Sequence, residues 1–367
     1  MKVLMISTDR NIFNKDSEVR QRMLEYGGLV EELYIIVFAE KKLGFKPLNL
    51  GNVFVQPTNS RNRWLYILDA IKIGKKTTKP DLITSQDPFE TGVVGWRIAK
   101  HFSSKLQFQI HTDFLNKYFI SESFLNKIRV KIAKFLIPKA DCIRVVSKRI
   151  AQSLGGAFAK PVVLPVFVDV EKIKNQSIEI NLKEKYPQFD FIILMASRLT
   201  KEKNIGMAIG AMANVVKQYP KVGLVIVGNG PERNHLLSQI SNLKVEKNVM
   251  IESWASDLPS YYKTTDIFLL TSNYEGYGRT VIEAATCGCP VIMTDVGIAN
   301  DVLKGGLGGK VIPVGNIRML EDLLKSLCVD NETLNNLSLY SSKIIEKIPT
   351  KVEYLGQYKK HWESCVG

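Results

Sequence analysis

The sequence predicts an α/β protein made of two doubly wound parallel sheets that face each other across a cleft. Three observations predict it. Short runs rich in Val, Ile and Leu alternate with amphipathic stretches from end to end, the pattern of parallel strands covered by helices on both faces. Thirteen such runs are present, too many for one doubly wound sheet. The alternation lapses once, near 166–188, where Pro165–Asp169 and the polar segment Glu171–Lys185 precede a fresh strand at Phe191.

The expected strands of the first half are Val3–Ser7, Leu33–Ala39, Val53–Gln56, Asp81–Ser85, Gln107–His111, Cys142–Ser147 and Val162–Pro165. Those of the second are Phe191–Ala196, Gly223–Gly228, Val249–Glu252, Ile267–Thr271, Pro290–Asp295 and Lys310–Pro313. Helical periodicity fills the intervals, clearest over Ile205–Gln218 and Thr280–Thr286. This places a first domain at 1–170 and a second at 171–350, with a closing helix at about 351–367 that packs back on the first. Ligands of such sheets bind beyond the carboxyl ends of the strands, so the cleft is where the site is expected.

At 367 residues the chain has the length for two cores of ordinary size. Its 45% apolar and 23% charged content is that of a soluble globular protein. No stretch has the eighteen or so unbroken apolar residues of a spanning helix, and Val3–Ile6 is too short for a signal-peptide core. The five cysteines are scattered, and Cys287 and Cys289 form a C-x-C with no second pair, against a zinc site. With four histidines and no H-E-x-x-H, the chain is expected to be cytoplasmic, reduced and free of metal or other cofactor. The net charge of +14 is uneven: residues 1–175 hold 29 Lys and Arg against 16 Asp and Glu, and 176–367 hold 21 against 20. An anionic partner is therefore expected for the first half alone.

The densest constellation runs from Thr271 to Glu283. A strand ends in a loop carrying Glu275, Gly276, Tyr277 and Gly278, a helix begins near Arg279, and Glu283 follows one turn in. The glycines admit close approach of a ligand to the backbone, the helix N-terminus suits a phosphate, and the two carboxylates can grip paired hydroxyls. A donor with a diphosphate between two sugars wants this combination. Arg198 and Lys203, after the first strand of the second half, supply cations: a fork for a phosphate and a point charge. Gly228 and Gly230 mark another close-approach loop. Trp254 is either a core residue or a platform for a base.

The order R-x4-K, G-x-G-P-E, then E-x7-E followed by Ala-x-x-Cys-Gly-Cys-Pro resembles the retaining glycosyltransferases of family 4, strongly over about 190–300. The resemblance implies the GT-B fold, two Rossmann-like domains. It further implies a hexosyltransferase that moves a sugar from a UDP- or GDP-linked donor, without a metal, to a lipid-linked or cell-surface glycan acceptor. Arg198 and Lys203 would bind the donor diphosphate, Glu275 the transferred sugar and Glu283 the nucleotide ribose, with the amides of Gly276, Tyr277 and Gly278 on the sugar.

The first half offers acceptor-side candidates. In that family the first strand is often followed by a glycine-pair loop, whereas Ser7–Arg20 contains no glycine; Asp16 and Ser17 are either acceptor contacts or helix caps. His111 and Asp113 close another strand and resemble the family's His-containing loop facing the donor sugar, and Asp87 is either a site acid or a turn residue. Retaining transfer in this family is generally described as same-face substitution, in which the leaving phosphate helps take the acceptor proton, so no carboxylate nucleophile is assigned.

The excess charge concentrates in two segments. In Phe124–Lys139, helical spacing puts Phe124, Leu125, Ile128, Ile132, Phe135 and Leu136 on one stripe with Lys127, Lys131 and Lys134 off it. Arg61–Lys76 is similar, with Arg63 and Trp64 leading to Lys72, Lys75 and Lys76. Basic amphipathic segments with aromatics suit an anionic membrane surface, which implies a peripheral location at the inner face of a membrane. Competing readings are weaker. A GT-B nucleotide-sugar epimerase would lack the E-x7-E arrangement, and a dinucleotide oxidoreductase would carry G-x-G-x-x-G after a first strand. A nucleic-acid-binding protein would show a recognised module, and no nucleic acid is expected as partner.

Overall fold

The computed structural model describes residues 1–155, 161–303, 308–346 and 348–367. The chain divides into two compact units, one comprising Met1–Pro165 with Thr350–Gly367 and the other Val166–Pro349. Each unit is built on its own α/β sheet.

The first unit contains β1 (Lys2–Ser7), β2 (Glu32–Val37), β3 (Leu48–Leu50), β4 (Val53–Pro57), β5 (Leu82–Ser85), β6 (Lys105–Ile110), β7 (Cys142–Val145) and β8 (Val162–Val163). They form one sheet in the order β3-β4-β2-β1-β5-β6-β7-β8. All neighbours are parallel except β3, which returns antiparallel on β4 through Gly51 and Asn52. Only β3 was not among the expected strands, because three residues are too few to show an alternation. The central pairing sets Val3 opposite both Leu33 and Leu82.

The C-terminal helix Lys351–Val366 belongs to this unit. A capping box of Thr350 and Glu353 starts it, and Tyr354, Tyr358, Trp362 and Cys365 lie buried on one face. The sheet surface beneath it is unusually polar for a parallel strand: Gln107 and Gln109 of β6, Thr84 of β5 and Arg144 of β7 are all buried. Their groups match one another. Thr84 Oγ1 donates to Gln107 Oε1 at 2.7 Å and receives Gln109 Nε2 at 2.8 Å. From the helix, Trp362 Nε1 donates to Gln107 Oε1 at 3.2 Å and the Tyr358 hydroxyl to Gln109 Oε1 at 3.1 Å. Arg144 donates to Gln109 Oε1 at 2.9 Å, Leu164 O at 3.1 Å, Pro165 O at 2.9 Å and the Tyr354 hydroxyl at 3.1 Å. Burial of such groups is tolerable because their partners are present. The expectation that the cysteines are all free thiols is corrected here: Cys142 and Cys365 are joined as a disulfide. The sequence separation of 223 conceals that the closing helix returns to β7.

The second unit contains β9 (Phe191–Ala196), β10 (Val222–Val227), β11 (Val249–Glu252), β12 (Ile267–Leu270), β13 (Val291–Thr294) and β14 (Gly309–Ile312). Their order is β11-β10-β9-β12-β13-β14, all parallel. Every residue of β9 and β10 is buried, which explains the unbroken apolar runs: alternate side chains enter cores on opposite faces of the sheet. One core gathers Ile192, Leu194, Val225, Phe268 and Val281, the other Ile193, Met195, Leu224, Ile226 and Leu269. Each fully buried Leu, Ile or Val contributes about 1.5–3 kcal/mol. The strand order reverses between β9 and β12, and in open parallel sheets a ligand crevice forms at that reversal. Among the described residues, no helix is long and apolar enough to cross a membrane.

Candidate functional site

The loops after β9 and β12 are tied together at the reversal. Buried Thr271 directs its Oγ1 to the carbonyls of Lys203 and Asn204, each at 3.0 Å. The Asn273 amide donates to Glu202 O at 2.7 Å, and Asn204, left-handed at φ 46°, donates from Nδ2 to Asn273 Oδ1 at 3.2 Å. These contacts fix the backbone at Lys203. Its Nζ forms an ion pair with Glu275 Oε1, and both side chains are largely buried. Ser272 Oγ donates to the same oxygen at 2.8 Å. The sequence motif named both charges; their direct contact and the roles of Thr271, Ser272, Asn204 and Asn273 were not legible in it.

Arg198 stands in the same loop with an exposed side chain, paired with Glu202 at 2.9 Å. An exposed i,i+4 pair is weak, so the guanidinium can turn to a ligand at little expense. Gly228 and Gly230 allow close packing of two loops. A Cβ at Gly228 would stand 1.9 Å from Ser197 O, and one at Gly230 2.2 Å from Leu199 O. The glycines let the loop after β10 nest against the Arg198 loop, joined by Leu199 N to Asn229 O at 2.9 Å.

The helix Arg279–Thr286 begins at Gly278, whose φ is 100°. Glu283, one turn in, is buried and held from two sides. Tyr262 donates to Oε2 at 3.2 Å, and Arg279 Nε approaches Oε1 at 2.7 Å. Burial, reinforced by Glu283, holds the Tyr262 phenol well above its ordinary pKa, so it stays a donor. The loop of Gly276 and Tyr277 rests on Gly297, a residue sequence reasoning missed. Gly297 has φ 53°, a Cβ there would meet Tyr277 O at 2.4 Å, and the Ile298 amide donates to that oxygen at 3.0 Å. Trp254 follows β11 and is 51% exposed, so it is not a core residue.

In the first unit the candidates cluster at the ends of the adjacent strands β1, β5 and β6. Ser17 caps the helix Glu18–Gly27 by accepting from Arg20 N at 3.1 Å, while Asp16 is exposed beside it. Asp87 accepts from Phe89 N at 2.7 Å, a turn role. Desolvation nonetheless raises its pKa to about 6 against the opposing backbone bond. His111 follows β6, its Nε2 3.4 Å from Gln109 Oε1. Desolvation and the charges of Arg144 and Arg22 push it down to about 3. The imidazole is therefore neutral at physiological pH, although the residue retains solvent access. Asp113 is buried, its Oδ1 has no hydrogen-bond partner among the described residues, and burial raises its pKa.

The basic segments are arranged differently from the expected stripe. On the helix Phe124–Leu136 the core takes Asn126, Val130, Ala133 and Leu136, with Ile132 partly buried. Phe124, at 78% exposure, and Leu125, Ile128 and Phe135 face solvent among Lys127, Lys131 and Lys134. In the other segment Trp64 is 77% exposed and Leu68 is exposed with it. The apolar side chains are thus interleaved with the lysines on the outer face.

Comparison with known proteins places this geometry. Two family models match in tandem: "Glycosyltransferase Family 4" over residues 34–172 and "Glycosyl transferases group 1" over 177–343. The chain belongs to the family 4 glycosyltransferases. It is 28% identical over 255 residues to an alpha-monoglucosyldiacylglycerol synthase of Streptococcus pneumoniae, covering 65% of this chain and 57% of that protein. It is 29% identical over 216 residues, 57% and 56% of the two chains, to a Campylobacter jejuni N-acetylgalactosaminyltransferase named for a diacetylbacillosaminyl-diphospho-undecaprenol acceptor. The matches therefore span little more than half of these relatives. Anabaena HepE, solved in complex with UDP-glucose, shares the fold with a TM-score of 0.79 at 20% identity, over 99% of this chain and 100% of that one.

Proposed function

We propose that this family 4 glycosyltransferase moves a sugar from a UDP- or GDP-linked donor to a lipid-linked or cell-surface glycan acceptor, with retention of configuration and without a metal in the transfer step. The observation that carries the proposal is the largely buried Lys203–Glu275 pair at the reversal of the sheet. In the absence of donor each charge compensates the other. When the donor enters, Lys203 turns to the diphosphate and Glu275 to hydroxyls of the transferred sugar, so neither is left uncompensated. Arg198 adds a fork to the phosphates, the amides of Gly276, Tyr277 and Gly278 face the sugar, and Glu283, oriented by Tyr262, takes the ribose hydroxyls. Trp254, being exposed, is available to the base. The cations stabilise charge developing on the leaving diphosphate, whose oxygen helps take the acceptor proton. Neutral His111, with Asp87 and Asp113, serves the sugar and acceptor, and Asp16 and Ser17 border them.

A lipid-linked acceptor is supported by the names of the relatives from S. pneumoniae and C. jejuni and by the exposed apolar-lysine faces at 61–76 and 124–139. On this reading the chain works at the cytoplasmic, anionic face of a membrane and binds no nucleic acid. A panel of UDP- and GDP-sugars, scored by released nucleoside diphosphate with and without lipid acceptor, tests the reaction class. Release from no member of the panel would refute it.

A further inference from the structure

The C-terminal helix carries a cluster that the transfer chemistry does not use. His361 and Cys365 are four residues apart, so both project from one helical face, and Cys142 opens β7 opposite them. Among the described residues these three form a group whose ligand-type atoms all lie within 4.8 Å of one another. His361 is 6% exposed, and neither Nδ1 nor Nε2 has a hydrogen-bond partner among the described residues. A neutral imidazole has one donor and one acceptor to satisfy, and a buried ring with both unmatched calls for a compensating ligand.

A second observation concerns the sulfur. Gln107 Nε2 donates to Cys365 Sγ at 3.6 Å. The orientation of that amide is dictated by its other end: Trp362 Nε1 is solely a donor, so Gln107 Oε1 must face it. The NH2 group is then obliged to face the sulfur. A fixed N–H aimed at a cysteine sulfur favours thiolate and acts as the outer-shell partner found around thiolate metal ligands.

We propose that the reduced form of this cluster binds one soft divalent cation of the zinc type through Cys142 Sγ, Cys365 Sγ and a ring nitrogen of His361, and that the disulfide is its oxidised, metal-free state. Two sulfurs and one imidazole are a zinc ligand set, leaving a fourth position for water. Cys142 is only partly buried, which gives the ion a way in. Two thiolates cancel the ion's charge, so nearby Arg144 faces a neutral site. In the interconversion a low-molecular-weight disulfide is the oxidant. The two thiolates lose two electrons and form the protein S–S bond; the small disulfide takes those electrons with two protons and leaves as two thiols. The divalent ion is released to water. The ion is structural, joining the closing helix to β7, and takes no part in sugar transfer.

The test uses the full chain reduced with a non-thiol reductant and stripped of metal, with Co2+ as the probe. The proposal predicts sulfur-to-cobalt charge-transfer absorption that saturates at one ion per chain. The band is lost in His361→Gln and Cys142→Ser and kept in Cys287→Ser. Adding a small disulfide abolishes it as two protein thiols disappear. A reduced chain with free thiols and no band overturns the proposal, as does a band indifferent to His361→Gln. If Cys142→Ser does not fold, the wild-type titration and thiol count decide alone.

Discussion

Lys203 and Glu275 lie 72 residues apart and are joined as a largely buried ion pair between the loops that leave β9 and β12. A buried pair is costly to break by removing one member, because the other charge stays behind. That property makes the pair a holding state that a ligand with one anionic and one hydroxylic part can open.

Glu283 depends on Tyr262 for its orientation. Tyr262→Phe deletes the donor at 3.2 Å and keeps the ring that packs edge-on against Phe268. A hydrogen bond to a charged group is worth about 1.5–3 kcal/mol. Donor KM should rise by roughly tenfold or more with the fold intact, read by steady-state kinetics and thermal unfolding. An unchanged KM would remove Glu283 from the ribose.

Gly297 supports the sugar-facing loop from below. In Gly297→Ala the new Cβ meets Tyr277 O and the residue sits in a left-handed conformation that disfavours a side chain, a strain of about 1–3 kcal/mol. The variant should unfold several degrees lower and lose donor affinity. Equal melting temperatures would show that the contact is relieved without effect.

Asp87 makes stability depend on pH. Its pKa in the folded protein is about 6, above the ordinary 3.8, so the folded state binds the proton more tightly than the unfolded one. Its contribution is then fully present below about pH 4 and is lost as pH rises through 6. At about 1.4 kcal/mol per tenfold change in proton affinity, the wild type should lose on the order of 2 kcal/mol relative to Asp87→Asn across that window. Asn retains an acceptor for Phe89 N, so the variant should be the more stable protein at pH 8. Urea midpoints at pH 4 and pH 8 check this, and parallel curves would contradict it.

The outer face of Phe124–Leu136 should bind anionic lipid. Phe124→Ser with Phe135→Ser, or Lys127, Lys131 and Lys134 changed together to Glu, should lower co-sedimentation with phosphatidylglycerol vesicles. The lysine effect should fade at high salt, since exposed charges are screened beyond about 10 Å at 0.1 M. Wild-type protein that stays in the supernatant at low salt would refute the membrane reading.

Much of the architecture was legible because a strand buried on both faces has to be apolar throughout, as in β9 and β10. The charged motif residues were legible because Arg198, Lys203, Glu275 and Glu283 interrupt that pattern at strand ends and one turn into a helix. Their supports were not. Ser272, Thr271 and Tyr262 carry no periodic signal, and Gly297 reads as an ordinary turn glycine until the carbonyl above it is known. Gln107 and Gln109 look like one polar face of a strand, and only the returning helix reveals that Tyr358 and Trp362 satisfy them. The same return brings Cys365 to Cys142, a pairing no local spacing could announce.

The most direct test of the account is turnover of the preferred nucleotide sugar by Lys203→Ala and Glu275→Ala, with released nucleoside diphosphate as the readout. Loss of a single group that stabilises developing charge lowers kcat by about 100- to 1,000-fold. The account predicts a fall of at least that size for Lys203→Ala and a comparable loss for Glu275→Ala, which removes the grip on the sugar hydroxyls and leaves Lys203 without its partner, with folding confirmed by circular dichroism. Turnover at the wild-type rate in both folded variants would contradict it.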